Sequence, residues 1–168
     1  MNFRPMRRFR QQLSQEECRR ILERGTSGVL AVAGDEGWPY AVPLSYVYRE
    51  GKLIFHCATA GHKLDGLRRD GRASFCVIDQ DQVVPQEYTT YYRSVIAFGC
   101  VRILEAPEDI RAGAEALGRR YHPSGTQEDL SGEIQGAMGR MCILEMEISH
   151  MTGKEGRELM ERRNRGER

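Results

Sequence analysis

Short apolar runs separated by turn residues recur along most of the chain and predict a protein built mainly from strands. Gly28–Ala33 (GVLAVA) reads as a buried strand, Gly34-Asp35-Glu36-Gly37 as a hairpin turn, and Pro39–Arg49 (PYAVPLSYVYR) as the returning strand. Glu50-Gly51 then turns the chain into Lys52–Cys57, so three strands in succession form an antiparallel meander. Ala73–Ile78 and Ser94–Leu104 follow as strands, the second with Gly99 placed for a bulge, and the alternating Cys142–Ile148 (CILEMEI) closes the set. Between the fourth and fifth strands, Asp79–Tyr92 (DQDQVVPQEYTTYY) is polar and reads as a long loop, of the kind that carries function or crosses an interface.

The helical signals are fewer. Ser14-Gln15-Glu16-Glu17 has the form of a capping box and predicts a helix to about Arg24, with Cys18, Ile21 and Leu22 on one face and Gly25 as its stop. Pro107 opens a helix to about Tyr121, with Ile110, Ala114 and Leu117 at helical spacing and Glu108 and Asp109 at its positive end. A weaker helix covers Gln127–Met138. Six strands with these flanking helices predict an α+β protein whose curved antiparallel sheet closes as a barrel. A basic arm (residues 1–12) precedes this domain (13–151), and a polar, partly ordered tail (152–168) follows it.

Charge changes the picture only at the ends. The net charge is +1, yet Arg4, Arg7, Arg8 and Arg10 crowd the start and Arg157, Arg162, Arg163, Arg165 and Arg168 the finish. With no aromatic residues interleaved among the closing arginines, these read as solvated or dimer-contacting arms, and neither nucleic acid nor a membrane is an expected partner. No apolar run reaches the length of a membrane span or follows the basic start as a signal region, which predicts a cytoplasmic protein. The five cysteines form no CxxC pair, and His56, His62, His122 and His150 lack paired metal-ligand spacing, so no metal site is expected. GxSxG, GxGxxG and GxxxxGK[ST] are all missing, which argues against a serine hydrolase, a Rossmann site and a P-loop.

One stretch carries candidate chemistry. Between the strands Leu53–Cys57 and Ala73–Ile78 lie Ala58-Thr59-Ala60-Gly61 and then His62-Lys63, which open a short helix with Leu64 and Leu67 on one face. Small residues, a hydroxyl, free N–H groups and two cationic side chains at one corner suit a phosphate ester; an ordinary strand-to-helix turn with a solvated His and Lys has the same sequence. Pro43 cannot donate a ladder hydrogen bond, so its strand is interrupted, bulged or at an edge, either to protect that edge or to face a ligand. Cys57 beside the corner reads as a core residue or a reactive thiol.

The segments DEGWPYAVPLSYVY, GKLIFHCATAGHKLDGLRRDGRASFCV and VVPQEYTTYYRSVIAFGCVRILE together resemble the flavin-binding split-barrel family of pyridoxamine 5'-phosphate oxidase, and within it the nitroimidazole-resistance (Nim-type) branch, from about Leu13 to Gly153. The resemblance implies a six-stranded antiparallel split β-barrel and a homodimer with two flavin mononucleotide (FMN) sites at the subunit interface. It places His56, Cys57, Thr59, His62 and Lys63 near the phosphate and ribityl chain, and Val42, Pro43, Leu44 and Ser45 along the isoalloxazine ring. Arg93 and Ser94 would reach the cofactor from the other subunit. His62 binds phosphate or serves as a proton donor near the ring. The implied activity is that of an FMN-dependent oxidoreductase acting on a small molecule such as a nitroimidazole or other nitro-aromatic; a non-enzymatic flavin or haem carrier or sensor is the alternative. The chain lacks the WxxxRLH-style motif that closes over pyridoxal phosphate, which argues against vitamin B6 oxidation.

Overall fold

The structure is a computed structural model that describes residues 3–166. Its strands are β1 (Ser27–Ala33), β2 (Pro39–Ser45), β3 (Val47–Arg49), β4 (Lys52–Ala58), β5 (Arg72–Val84), β6 (Thr89–Ile103) and β7 (Met141–Glu155). They form one antiparallel sheet of seven strands in the order β2-β1-β5-β6-β7-β4-β3, with helices α1 (Gln15–Arg24), α2 (His62–Arg69), α3 (Pro107–Tyr121), α4 (Gln127–Ala137) and α5 (Arg157–Asn164) around it. The expected six strands become seven, the sheet does not close, and the expected meander is broken, all for one reason. The returning strand splits at Tyr46, sending β2 to pair with β1 at one edge and β3 to pair with β4 at the other. Pro43 lies on the edge strand β2, opposite Val29, where its missing N–H costs no ladder bond on the open side.

Tyr46 is fully buried, and that is why the strand breaks there. Its hydroxyl donates to the Leu22 carbonyl at 2.8 Å. Its backbone N–H donates to the Tyr121 hydroxyl at 2.9 Å, and that hydroxyl in turn meets the carbonyls of Tyr46 and Thr26. Burial pushes the Tyr46 phenol well above its usual range, so it stays a neutral donor. Gly25 ends α1 in extended rather than left-handed backbone, and glycine is needed there because a Cβ would come within 2.5 Å of the Tyr46 hydroxyl. At the other end of α1, the Ser14 hydroxyl accepts from the Glu17 N–H at 3.1 Å, as the capping pattern predicts.

The main core lies on one side of the sheet, where Leu30, Tyr46, Leu53, Phe55, Phe75, Val95 and Met146 cluster with Cys18, Ile21 and Leu22 of α1. A smaller cluster of Ala114, Leu117, Ile134 and Ile143 lies beneath α3 and α4. β6 and β7 slip register at Gly99, where Ser149 is the extra residue and a Cβ on Gly99 would run into the Glu147 carbonyl. No helix among the described residues is long and apolar enough to cross a membrane.

Two expectations are corrected. Asp79–Tyr92 is not a loop: β5 and β6 continue through it as a long hairpin, turned by a 3-10 helix at Pro85–Glu87, with a bulge at Asp79. Its polarity reflects a hairpin that leaves the core, where one side faces water and the other is covered by α5. Tyr91 is buried there, hydrogen-bonded to Glu87 at 2.7 Å with the Arg162 guanidinium 4.8 Å from its ring centroid. The closing strand likewise runs past Ile148 to Glu155 and leads into α5 rather than into a partly ordered tail.

Tyr46→Phe keeps the ring in the core but leaves the Leu22 carbonyl without its buried donor. The expected loss is about 1 kcal/mol of unfolding free energy with an unchanged denaturant slope, measured by urea titration.

Candidate functional site

β4 ends at Ala58 and α2 begins at His62, and the three residues between them bend the chain through Gly61 at φ 130°, a conformation that side chains other than glycine's rarely adopt. Nothing lies within 4 Å of where a Gly61 Cβ would sit, so this corner is open on that side. The Gly61 carbonyl accepts from the Leu64 and Asp65 N–H groups, starting the helix, while the N–H groups of Thr59, Gly61, His62 and Lys63 have no backbone acceptor among the described residues. Thr59 is exposed and Lys63 half-buried. Unpaired N–H groups, a hydroxyl and an ammonium around an open glycine fit a phosphate ester. Behind the corner, Gly66 lets α2 pack directly on the Ala33 carbonyl of β1.

The edge strand β2 faces this corner. The Tyr40 ring of β2 packs on the His62 ring at a tilt of 37° with centroids 4.1 Å apart, and β2 also runs close to β4. Along β2, Val42 and Leu44 turn into the core while Pro43 and Ser45 are exposed. The structure thus brings Tyr40 of β2 onto His62 of the corner, with Val42, Pro43, Leu44 and Ser45 further along the same strand, whose outer backbone edge is unpaired among the described residues.

His62 is held rather than free. Its Nε2 is 3.3 Å from Asp35 Oδ2 in the β1–β2 turn, and the other Asp35 oxygen takes Arg69 at 2.8 Å. Tyr40 and Asp35 are parts of the site that residue patterns did not single out; their only signal was proximity to the turn that precedes β2. Cys57 lies opposite Cys142 across the β4–β7 ladder, beside the core. Burial, reinforced by Cys142 and only partly offset by the nearby Lys63 charge, pushes its thiol up to about 11, so it is a neutral packing residue at physiological pH. His56, one residue earlier, projects from the opposite face of β4 and is exposed there, away from Cys57.

Arg93 and Ser94 are not brought to this corner within the chain. Arg93 pairs with Glu155 on β7, whereas Cys57 of the corner strand pairs with Cys142 on the same β7, roughly 40 Å of extended chain away. The Arg93 guanidinium lies 3.5 Å from both Asp79 and Glu155, and Asp79 is also held by Arg24 at 2.6 and 2.7 Å. Glu155 is fully buried, with Arg163 of α5 at 2.8 Å as its closest cation. This ion cluster joins α1, β5, β6, β7 and α5. Ser94 points the other way, onto the outer face of the sheet between Ile78 and Lys154.

The family model of pyridoxamine 5'-phosphate oxidase matches residues 14–155, and the chain belongs to that family. A candidate 5-nitroimidazole antibiotic resistance protein from Bacteroides thetaiotaomicron superposes with a TM-score of 0.73 at 20% identity, covering 86% of each chain. A conserved hypothetical protein from Mycobacterium tuberculosis gives a TM-score of 0.78 at 22% identity over 92% of each chain. The FAD and heme binding protein from Mycobacterium smegmatis gives 0.69 at 22% identity over 88% of this chain and 74% of that one. At these identities the likeness is one of fold. No curated protein matches the chain by sequence.

Arg93→Ala leaves the buried Glu155 with Arg163 alone. We expect a loss of about 3 kcal/mol in urea unfolding, partly recovered in Arg93→Lys; an Arg93→Ala protein of unchanged stability would show that the guanidinium does not serve the buried carboxylate.

Proposed function

We propose that the protein is a flavin-binding oxidoreductase that holds FMN between the β4–α2 corner and the edge of β2. The observation that carries this is the corner itself, where Gly61, Thr59 and Lys63 offer open N–H groups, a hydroxyl and a cation within reach of one phosphate. FAD-binding proteins among the structural neighbours support a flavin as the ligand. The phosphate would sit against the N–H groups of Gly61–Lys63 with Lys63 supplying the charge, and the flat ring would lie along Val42–Ser45, where the unpaired edge can offer backbone donors and acceptors. The bound flavin supplies the redox chemistry. His62, oriented by Asp35 and Tyr40, would fix the start of α2 and could exchange a proton at Nδ1 or Nε2 with a ligand beside it. A small acceptor such as a nitro-aromatic compound is the proposed substrate, a choice supported by the Bacteroides neighbour.

The outer face of the sheet supports a second copy of the chain as partner. Pro43, Val29, Cys76 and Ile96 stand in one row across β2, β1, β5 and β6, and Ala41, Ala31, Ser74 and Phe98 in the next, with Ile78 and Val29 exposed. Ser94 lies on this face and would meet the site of the other protomer, while Arg93 stays on the inner side in its ion cluster.

Lys63→Ala should weaken FMN binding by roughly 1.5–3 kcal/mol and leave riboflavin, which has no phosphate, almost unaffected in a fluorescence titration. Equal losses for both ligands would remove Lys63 from the phosphate site, and a colourless protein that takes up neither flavin would refute the function. The absorption spectrum of the purified protein separates flavin bands from the intense Soret band of a haem carrier.

If the cofactor touches both protomers, FMN stabilises the dimer by about 2.7 kcal/mol when free ligand stands 100-fold above its dissociation constant. Sedimentation across a dilution series, with and without FMN, should show the dimer persisting to lower protein concentration in its presence. A monomer retaining full FMN occupancy would rule out the shared site.

A further inference from the structure

The fold brings the two arginine-rich ends of the chain together. Gln12 pairs with Lys154 as an isolated antiparallel bridge, the Leu13 N–H donates to the Gly153 carbonyl at 3.0 Å, and Gln11 is buried, so the arm is pinned where β7 passes into α5. A cleft of about 510 Å³ opens at this junction, lined by Arg7, Arg8, Phe9, Arg10, Arg157 and Met160, with Glu161 as its one acid. Glu161 is neutralised by Arg157 at 2.7 Å, while Arg7, Arg8 and Arg10 form no ion pair among the described residues. The cleft therefore carries a clear excess of positive charge. Its cations are all guanidinium groups, whose planar forks match phosphate oxygens. Phe9 is 68% exposed, an uncommon setting for a large aromatic side chain, and the Arg10 guanidinium lies 6.0 Å from its ring centroid.

A stackable ring beside several phosphate forks, in a cleft of small-molecule size, is suited to a base joined to a polyphosphate. The surrounding charge favours a compact ligand over a nucleic-acid strand. Arg162 is spent on the Tyr91 ring and Arg163 on the buried Glu155, so neither extends the patch into a track along α5. The site is also separate from the flavin corner, because it adjoins the Glu155 end of β7 and the corner adjoins the Cys142 end.

We propose that this cleft binds a nucleotide carrying two or more phosphates, with the base against Phe9 and the phosphates among Arg7, Arg8 and Arg10. The same chemistry is offered by a free nucleoside diphosphate and by the adenylyl half of a dinucleotide such as NADPH.

Isothermal titration of the full chain with ADP, NADPH and inorganic pyrophosphate tests this. ADP should bind, and Arg8→Ala/Arg10→Ala should weaken it at least roughly tenfold. Phe9→Ala should weaken ADP more than pyrophosphate. All three side chains are exposed, so thermal melting and FMN titration of these variants should match the parent protein. NADPH binding equal to ADP identifies the adenylyl half as the determinant, and tighter binding identifies the dinucleotide as the occupant; both support the proposal. It is overturned if neither ADP nor NADPH binds at millimolar concentration, or if the arginine variants bind ADP as well as the parent does. It is equally overturned if FMN displaces ADP and Lys63→Ala abolishes its binding, which would place the nucleotide at the corner, or if a single-stranded oligonucleotide outcompetes ADP at equal phosphate concentration.

Discussion

Between Ser45 and Val47 the chain leaves one edge of the sheet and joins the other, and the residue at that step is held on several sides. Tyr46 buries its ring against Phe75, sends its hydroxyl to the end of α1 and receives the Tyr121 hydroxyl of α3 on its backbone. A buried phenol without a partner would cost more than the hydrogen bond it makes, so the ring can sit there only while the Leu22 carbonyl is in place. The same geometry demands glycine at position 25 and holds α1 and α3 to the seam. Arg120, next to Tyr121, adds hydrogen bonds to the carbonyls of Glu23, Arg24 and Gly25. Helix placement and sheet opening are thus one event.

That event also makes the candidate site. Had Pro39–Arg49 continued as one strand between β1 and β4, both of its edges would be paired. Because it splits, β2 keeps a free backbone edge and approaches the corner where β4 gives way to α2. Pro43 is compatible with this arrangement because an edge strand needs ladder bonds on one side only. The contact of Tyr40 with His62, and of Asp35 with both His62 and Arg69, fixes the turn of the β1–β2 hairpin against α2 and so sets the spacing between edge and corner.

At the far end of β7 a different constraint operates. Glu155 is fully buried, and a carboxylate in that position requires cations close by. Arg93 and Arg163 supply them from β6 and α5, and the bulge at Asp79 turns a second carboxylate toward Arg93 and Arg24. This cluster gives the polar C-terminal segment a reason to fold back onto the hairpin, where Arg162 covers Tyr91. Hydrophobic periodicity carries no trace of such an arrangement, since its members read as solvated charge until they are paired.

The sequence by itself determined the local elements and the chemistry of the corner. The Ser14 cap, the Pro107 start, the Glu50-Gly51 turn, the bulge beside Gly99 and the small residues leading to His62-Lys63 are all set by steric and hydrogen-bonding preferences within a few residues, and these can be read without a partner. The family resemblance, carried by YAVPLSYVY, FHCATAGHK and YRSVIAFG, was legible for the same reason, because the residues it rests on lie in short segments. Only the tertiary structure decided that Tyr46 divides a continuous apolar strand, that the polar Asp79–Tyr92 segment is paired hairpin, that Arg93 serves a buried carboxylate and that the two basic ends meet. Each of these depends on burial or pairing between residues far apart in the chain, and a periodicity of apolar positions reports which side faces a core, not which distant group will satisfy a hydrogen bond or a charge.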